Sequence, residues 1–313
     1  LAMLSPVLLH NADYVWDTCW VMLGGAALLV LFVVVQPRRP LGLFGAGLAC
    51  GAVALINPVL TSCYPVWVVY SWWRNRRDTK KTLHFARCAA LVLAGFVLAI
   101  LPWTIRNYRT FGKVMYMRGN LPLEMWVGNA PWSDGYALSG SMHPVVNTTE
   151  AARMVALGEF GYYQACKADL VRWWRADPTR FVTRGLKRLR WFFLGRYDLP
   201  MSPEMTLVKA ASYGAPGVLA LVGALALLLK RRRARVMAVT LAVFPLIYTL
   251  CTVYVRYRLP VEPLLMLVAV VGAVEVYRFF VWTGEQAAAH LSLAHHHGRR
   301  ATLGLVHRSG TST

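Results

Sequence analysis

The stretch Leu101-Pro102-Trp103-Thr104-Ile105-Arg106-Asn107-Tyr108-Arg109-Thr110-Phe111-Gly112 decides how the rest of the chain is read. Up to Ile105 the residues from Cys88 onward form an uncharged run, mostly apolar, and from Arg106 charge and aromatic rings intermix. A run of that kind crosses a bilayer and its charged end leaves it. The spacing predicts that the chain emerges from a membrane here and that a long amphipathic loop begins.

Apolar residues make up 57% of the 313-residue chain and charged ones 15%, the composition of a polytopic membrane protein rather than of a soluble domain. Uncharged stretches run from Thr18 to Val35, Leu41 to Trp73, Cys88 to Ile105, Ala210 to Leu229 and Val236 to Val255, and a sixth covers most of Leu259 to Trp282. About 20 residues cross a bilayer as a helix, so most of these predict single spans. The stretch from Leu41 to Trp73 holds 33 residues. As one helix it would be about 50 Å long, against a hydrocarbon core of about 30 Å. Asn57-Pro58 and Pro65 are expected to break it into a hairpin of two short spans.

Positive charge gives the spans a direction. Arg74, Arg76, Arg77, Lys80, Lys81 and Arg87 follow the hairpin, and Lys230, Arg231, Arg232, Arg233 and Arg235 separate two later spans, so both loops are expected on the cytoplasmic side. Only the hairpin also puts Arg38 and Arg39 there. The expected fold is an all-α polytopic membrane protein of about seven spans in the inner (plasma) membrane, with the N-terminus of the chain outside and its C-terminus cytoplasmic. Residues 1–103 hold four spans including the 41–73 hairpin, 104–211 form one large extracytoplasmic domain of mixed loop and helix, 212–282 hold three spans, and 283–313 form a disordered cytoplasmic tail.

The formal charge of +20 does not call for a nucleic-acid partner, because much of it lies in the short loops that set topology. From Trp103 to Ser212 there are still 15 Lys and Arg against eight Asp and Glu, an excess that fits attraction to lipid phosphate or headgroups. Of the six cysteines only Cys166 falls in that segment, so neither a disulfide framework nor a zinc pattern is expected. His295-His296-His297 sits in a tail of Ala, Ser and Gly and reads as solvated disorder. The first residues, Leu1 to His10, lack the basic flank and cleavage site of a signal peptide. An outward N-terminus without a signal predicts preceding spans, and hence that this chain is the C-terminal part of a longer protein.

Within the outer segment, Gly, Pro, Ser and Asn from Arg118 to Thr149 predict irregular structure. From Glu150 to Trp174 apolar residues recur at helical intervals. Asp177-Pro178 starts a second helix through Phe193, with Pro178 in its first turn. This helix carries Arg180, Arg184, Lys187, Arg188 and Arg190 beside Phe181, Leu186, Leu189, Trp191 and Phe192. It suits either the membrane surface or its own domain with the basic face in water.

Three segments carry a resemblance: Leu101 to Tyr108; Trp126-Val127-Gly128-Asn129-Ala130-Pro131 with Gly135; and Arg256-Tyr257-Arg258-Leu259-Pro260-Val261-Glu262-Pro263. In this order and topological placement they resemble the polyprenyl-phosphate-dependent membrane glycosyltransferases of the GT-C type, such as the dolichyl-phosphate-mannose protein mannosyltransferases and lipid A aminoarabinose transferases. The similarity extends over about Leu4 to Trp282. It implies transfer of a sugar from a polyprenyl-phosphate donor to a glycan, lipid or protein acceptor at the outer face. It also implies that the principal catalytic carboxylate lies on a first outer loop several spans ahead of Leu1, so that this chain alone would be inactive.

The implied chemistry needs a base for the acceptor hydroxyl and fixed cations for the departing phosphate. Arg256 and Arg258, at the outer end of a span, and Arg106, at the facing span end, are the expected phosphate ligands. Equally they are placed to anchor the spans at the interface. Asp13 and Asp17, four residues apart, sit where the family has an acidic cavity residue, and Asp17 is the better match; a carboxylate at a helix start also has ordinary electrostatic reasons. Glu262 either joins the acceptor site or pairs with Arg258 at helical spacing. No metal site is expected, and a need for a divalent ion stays open. The absence of a glycine-rich phosphate loop and of an Asp-x-Asp pair favours a lipid-linked over a nucleotide-linked donor. A transporter would carry polar groups at mid-membrane, which these spans lack; a non-catalytic scaffold is the remaining alternative.

Overall fold

The computed structural model describes residues 17–75, 81–136, 142–197, 200–231 and 234–283. Asp13, His295 to His297 and the rest of the tail beyond Thr283 lie outside them, as do Arg76, Arg77, Lys80, Arg232 and Arg233. Among the described residues the chain is 83% helical with no strand, as expected of an all-α protein. Four helical stretches, Asp17–Val35, Phe85–Phe111, Pro203–Lys230 and Arg256–Thr283, are long and apolar enough to cross a bilayer, and Pro40–Ile56 and Arg235–Leu250 are apolar but shorter. The chain is a membrane protein.

Helix α1 (Asp17–Val30) widens into a π turn, Leu31–Val35, closed by Gln36 in the left-handed region at φ 53°. Helix α2 (Pro40–Ile56) ends where Pro58 lacks the N–H to continue the ladder and drives Asn57 to extended geometry, φ −156° and ψ 125°. Asn57 Oδ1 then accepts from the Val59 N–H at 3.2 Å and caps a 3₁₀ turn, Pro58–Cys63. Helix α3 (Tyr64–Asn75) returns beside α2: Tyr64 Oη donates to the Cys50 carbonyl at 3.0 Å, and Ser71 and Trp72 share a hollow with Arg38 and Leu43. The chain therefore reverses at Asn57-Pro58, while Pro65 sits in the first turn of α3, where it breaks nothing.

Helix α4 (Lys81–Phe111) continues through Pro102 to Gly112, which takes φ 65° and donates its N–H to the Tyr108 carbonyl at 2.8 Å. The loop expected after Ile105 is thus corrected to six more helical residues. Helices α2 and α4 pack against each other. A Cβ on Gly47 would overlap the Val92 carbonyl oxygen and one on Gly95 the Phe44 carbonyl oxygen, so the two backbones touch.

The segment between α4 and α8 holds α5 (Leu121–Asn129), α6 (Thr148–Ala176) and α7 (Pro178–Leu194). Helix α5 is a correction, since the composition there predicts irregular chain. Pro122 occupies a favourable first-turn position, and Leu123, Trp126 and Val127 pack on Tyr162, Tyr163, Cys166 and Leu170 of α6 in a small core of their own. Helix α6 bends at Gly158, φ 68° and ψ 159°. Asp177 caps α7 by accepting from the Arg180 N–H at 3.0 Å, matching the predicted start.

Helix α8 (Pro203–Lys209) passes through a π turn, Ala210–Gly214, into α9 (Ala215–Lys230). Then follow α10 (Arg235–Val243), α11 (Leu246–Leu250), a 3₁₀ turn (Val255–Val261) and a last helix, α12, over 262–283. Helices α9 and α12 meet backbone to backbone at Gly223 and Gly272. One end of the bundle gathers Arg38, Arg39, Arg74, Lys230, Arg231 and Arg235 at helix termini; the other gathers Asp17, the start of α12, the tip at Asn57 and helices α5 to α7.

Candidate functional site

At the second end lies a cavity of about 640 Å³ whose polar lining includes Asp17, Asn57, Arg118, Glu124, Thr252 and Arg256. Each comes from a different piece of chain, and the breaks in the helices are what bring them together. Asn57, left outside α2 by Pro58, donates Nδ2 to Asp17 Oδ2 at 3.0 Å. Arg118 donates Nη2 to the same Asp17 oxygen at 2.7 Å and to the Ile56 carbonyl at 2.9 Å. The Asp17 carboxylate is therefore oriented by two donors.

Arg118 reaches Asp17 because the extension of α4 holds the returning chain. Trp103 Nε1 donates to the Met117 carbonyl at 3.3 Å, Thr104 Oγ1 to the Tyr116 carbonyl at 3.2 Å, and Asn107 Nδ2 to the Met115 carbonyl at 3.1 Å. The motif from Pro102 to Tyr108 thus acts on the cavity through its helical Trp, Thr and Asn side chains. Arg106 points elsewhere: it is exposed, donates to Asn107 Oδ1 at 3.1 Å and lies over Trp103, 5.1 Å from the ring centre. It does not line the cavity.

The second motif ends α5 and is clamped from α7. Arg184 Nη1 donates to the Ala130 carbonyl at 2.7 Å and Arg180 Nη2 to the same oxygen at 3.0 Å. Arg188 Nη1 donates to the Gly128 carbonyl at 2.9 Å, and its Nη2 to Asn129 Oδ1 and the Thr249 carbonyl, both at 2.8 Å. Three arginines four residues apart therefore collect the acceptors at the C-terminus of α5, where cations are favoured. Arg188 is 1% exposed. Burial pushes its guanidinium down to about 10, so it stays charged at neutral pH. Of the two readings of the basic helix, packing on its own domain is what the structure shows, but with only part of the basic face in water: Arg188 is buried and Arg180 and Arg184 half-buried, all three bound to backbone, while Lys187 and Arg190 are exposed. Through this clamp α5 is fixed so that Glu124 faces the cavity, accepting from Asn120 Nδ2 at 3.2 Å, while Trp126 faces the small core shared with α6.

The third motif divides. Arg256 reaches the cavity, its guanidinium 5.6 Å from the ring centres of Tyr254 and Tyr257. Arg258 does not. It is fully buried, forks onto Glu262 (Nε to Oε2 2.5 Å, Nη2 to Oε1 2.9 Å) and donates Nη1 to the Phe193 and Tyr213 carbonyls at 3.2 and 3.0 Å. Its guanidinium also sits 3.7 Å from the centre of the Tyr213 ring. With its donors committed inside the protein, Arg258 is removed from the expected phosphate ligands, and Glu262, likewise fully buried, from the acceptor site. The helical spacing that pairs them is the structural alternative already visible in the sequence.

Of the expected site residues the structure brings Asp17 and Arg256 to one cavity and adds Arg118, Glu124 and Asn57. Neither Arg118 nor Glu124 stands in a motif, and no local signal marked them. The Cys166 thiol is buried and pushed up to about 11, outside the reactive range. No group of three or more His, Cys, Asp or Glu placed to hold a metal occurs among the described residues. No family model, no curated protein and no solved structure matches the chain.

Proposed function

We propose that this protein is a membrane glycosyltransferase, or the cavity-bearing part of one, that moves a sugar from a polyprenyl-phosphate donor to a glycan, lipid or protein acceptor on the outer face of a plasma membrane. In this reading the two shorter apolar stretches and α3 complete about seven spans, and the basic end of the bundle faces the cytoplasm. The observation that carries the reading is that one cavity at the mouth of the spans is lined by two carboxylates, Asp17 and Glu124, and two guanidiniums, Arg118 and Arg256. The cations suit a departing lipid phosphate, and a carboxylate suits the acceptor hydroxyl. Aromatic and apolar walls, with Tyr248, Tyr257 and Ile247 among them, suit the first isoprene units.

The test is binding of a fluorescent polyprenyl-phosphate sugar to the purified protein in neutral detergent. Arg256→Ala should weaken binding about tenfold or more, since a charge-assisted hydrogen bond contributes roughly 1.5 to 3 kcal/mol, and Arg256→Lys should restore only part of it. Unchanged donor affinity in the alanine variant, at wild-type thermal stability, would leave the non-catalytic scaffold as the better reading. Transfer assays with Asp17→Asn and Glu124→Gln then ask whether either carboxylate takes the acceptor proton.

A further inference from the structure

At the opposite, basic end of the bundle a second opening has a different chemistry. Beyond the crossing at Gly223 and Gly272 a groove of about 760 Å³ opens between α9 and α12. Its walls are apolar, with Ala226, Val270, Val271 and Val274, and its rim is cationic, with Lys230, Arg231 and Arg278. A smaller hollow shares that rim and is flanked by Phe279 and Trp282, both more than half exposed.

One acidic residue stands in the rim. Glu275 Oε2 accepts from Lys230 Nζ at 2.5 Å and Oε1 lies 3.4 Å from Arg278 Nη1. The carboxylate holds two of the cations at the top of the groove, and with Arg231 the rim still carries a net charge of +2 (three cations less one carboxylate). Lys230 and Arg278 keep 61% and 60% of their side chains exposed, so their remaining donors face outward.

We infer that this groove is a binding site for an anionic membrane phospholipid, with an acyl chain along the valine wall and the phosphate against Arg231 and Arg278. An outward face of two candidate spans is bathed in lipid, and a cationic, aromatic rim at a span end lies at headgroup depth. Apolar walls continuous with a positive rim match the two halves of such a lipid, whereas a soluble phosphate would use only the rim. The inference is independent of the sugar-transfer reading and of which end faces the cytoplasm.

Delipidated protein in neutral detergent, titrated with phosphatidylglycerol or with phosphatidylcholine of the same chains and followed by native mass spectrometry, tests it. Phosphatidylglycerol should bind at least about tenfold more tightly, and Arg231→Gln with Arg278→Gln should remove about that factor. Val274→Trp, which fills the groove without altering charge, should block both lipids, and Glu275→Gln should tighten phosphatidylglycerol by releasing two cations. Soluble glycerol phosphate should not compete. Equal binding of the two lipids, a preference that survives the double arginine change in protein of wild-type melting temperature, or competition by glycerol phosphate would each overturn the assignment.

Discussion

Removing one partner of a buried ion pair strands the other charge away from water, at a cost of about 3 to 5 kcal/mol. Arg258 and Glu262 are both fully buried and joined by a two-point fork, so Arg258→Ala and Glu262→Ala are each expected to lower the melting temperature in detergent sharply or to abolish folded protein. The double change Arg258→Met with Glu262→Leu should lose less than either, because it removes both charges and keeps the volume. A double variant as damaged as the singles would mean that the Phe193 and Tyr213 carbonyls, not Glu262, are the partners that matter. The Arg118 and Asp17 pair is of the other kind, with side chains 48% and 31% exposed. Screening by water limits it to about 0 to 1 kcal/mol. Arg118→Ala should therefore leave the melting temperature nearly unchanged while altering donor binding, a separation that marks a cavity residue rather than a structural one.

Helix pairs here depend on places where no side chain can stand. On α2, a Cβ at Gly47 would collide with the Val92 carbonyl, whereas one at Gly45 meets nothing within 4 Å. Gly47→Leu should therefore drive α2 from α4 and sharply reduce folded protein, and Gly45→Leu on the same helix should be tolerated; size-exclusion profiles in detergent give both answers. The hold of α7 on α5 rests on hydrogen bonds instead. Arg188→Met would leave the Gly128 and Thr249 carbonyls and Asn129 Oδ1 short of a donor, each at roughly 1 to 3 kcal/mol. Amide exchange across Leu121 to Ala130 should quicken while α2 and α4 stay protected. Slow exchange there would show that the apolar contacts of Trp126 suffice to dock α5.

Basic residues crowd the short links at one end of the bundle, and the proposed orientation rests on them. Arg38, Arg39, Arg74 and Lys230 cluster at one end, while α5 to α7 lie with the cavity at the other. A cysteine placed at Val145, 83% exposed beyond α5, and another at Arg39 should react with impermeant maleimide from opposite sides of intact cells, Val145 from outside. Labelling of both from one side would contradict the orientation and with it the outer-face transfer.

The apolar stretches, the reversal at Asn57-Pro58 and the start at Asp177-Pro178 could be read along the chain, because a run of apolar residues, a missing N–H and a cap are local properties. The break at Asn57 follows from one proline. What local pattern could not carry was the partner of each charge. Arg256 and Arg258 stand two positions apart in one motif, yet the 3₁₀ turn that holds them sends one to the cavity and the other into the core. The sequence marked both as polar groups at a span end and left their partners to packing. In the same way the arginines of α7 read as a surface stripe until α5, which the composition hid, supplied carbonyls for them. Asp17 was singled out by the resemblance, from its place just ahead of the first apolar run. Arg118 and Glu124 were not, since the hydrogen bonds that place them come from residues far along the chain or from a helix the composition concealed, and only the folded chain brings those partners within 3 Å of each other or onto one wall.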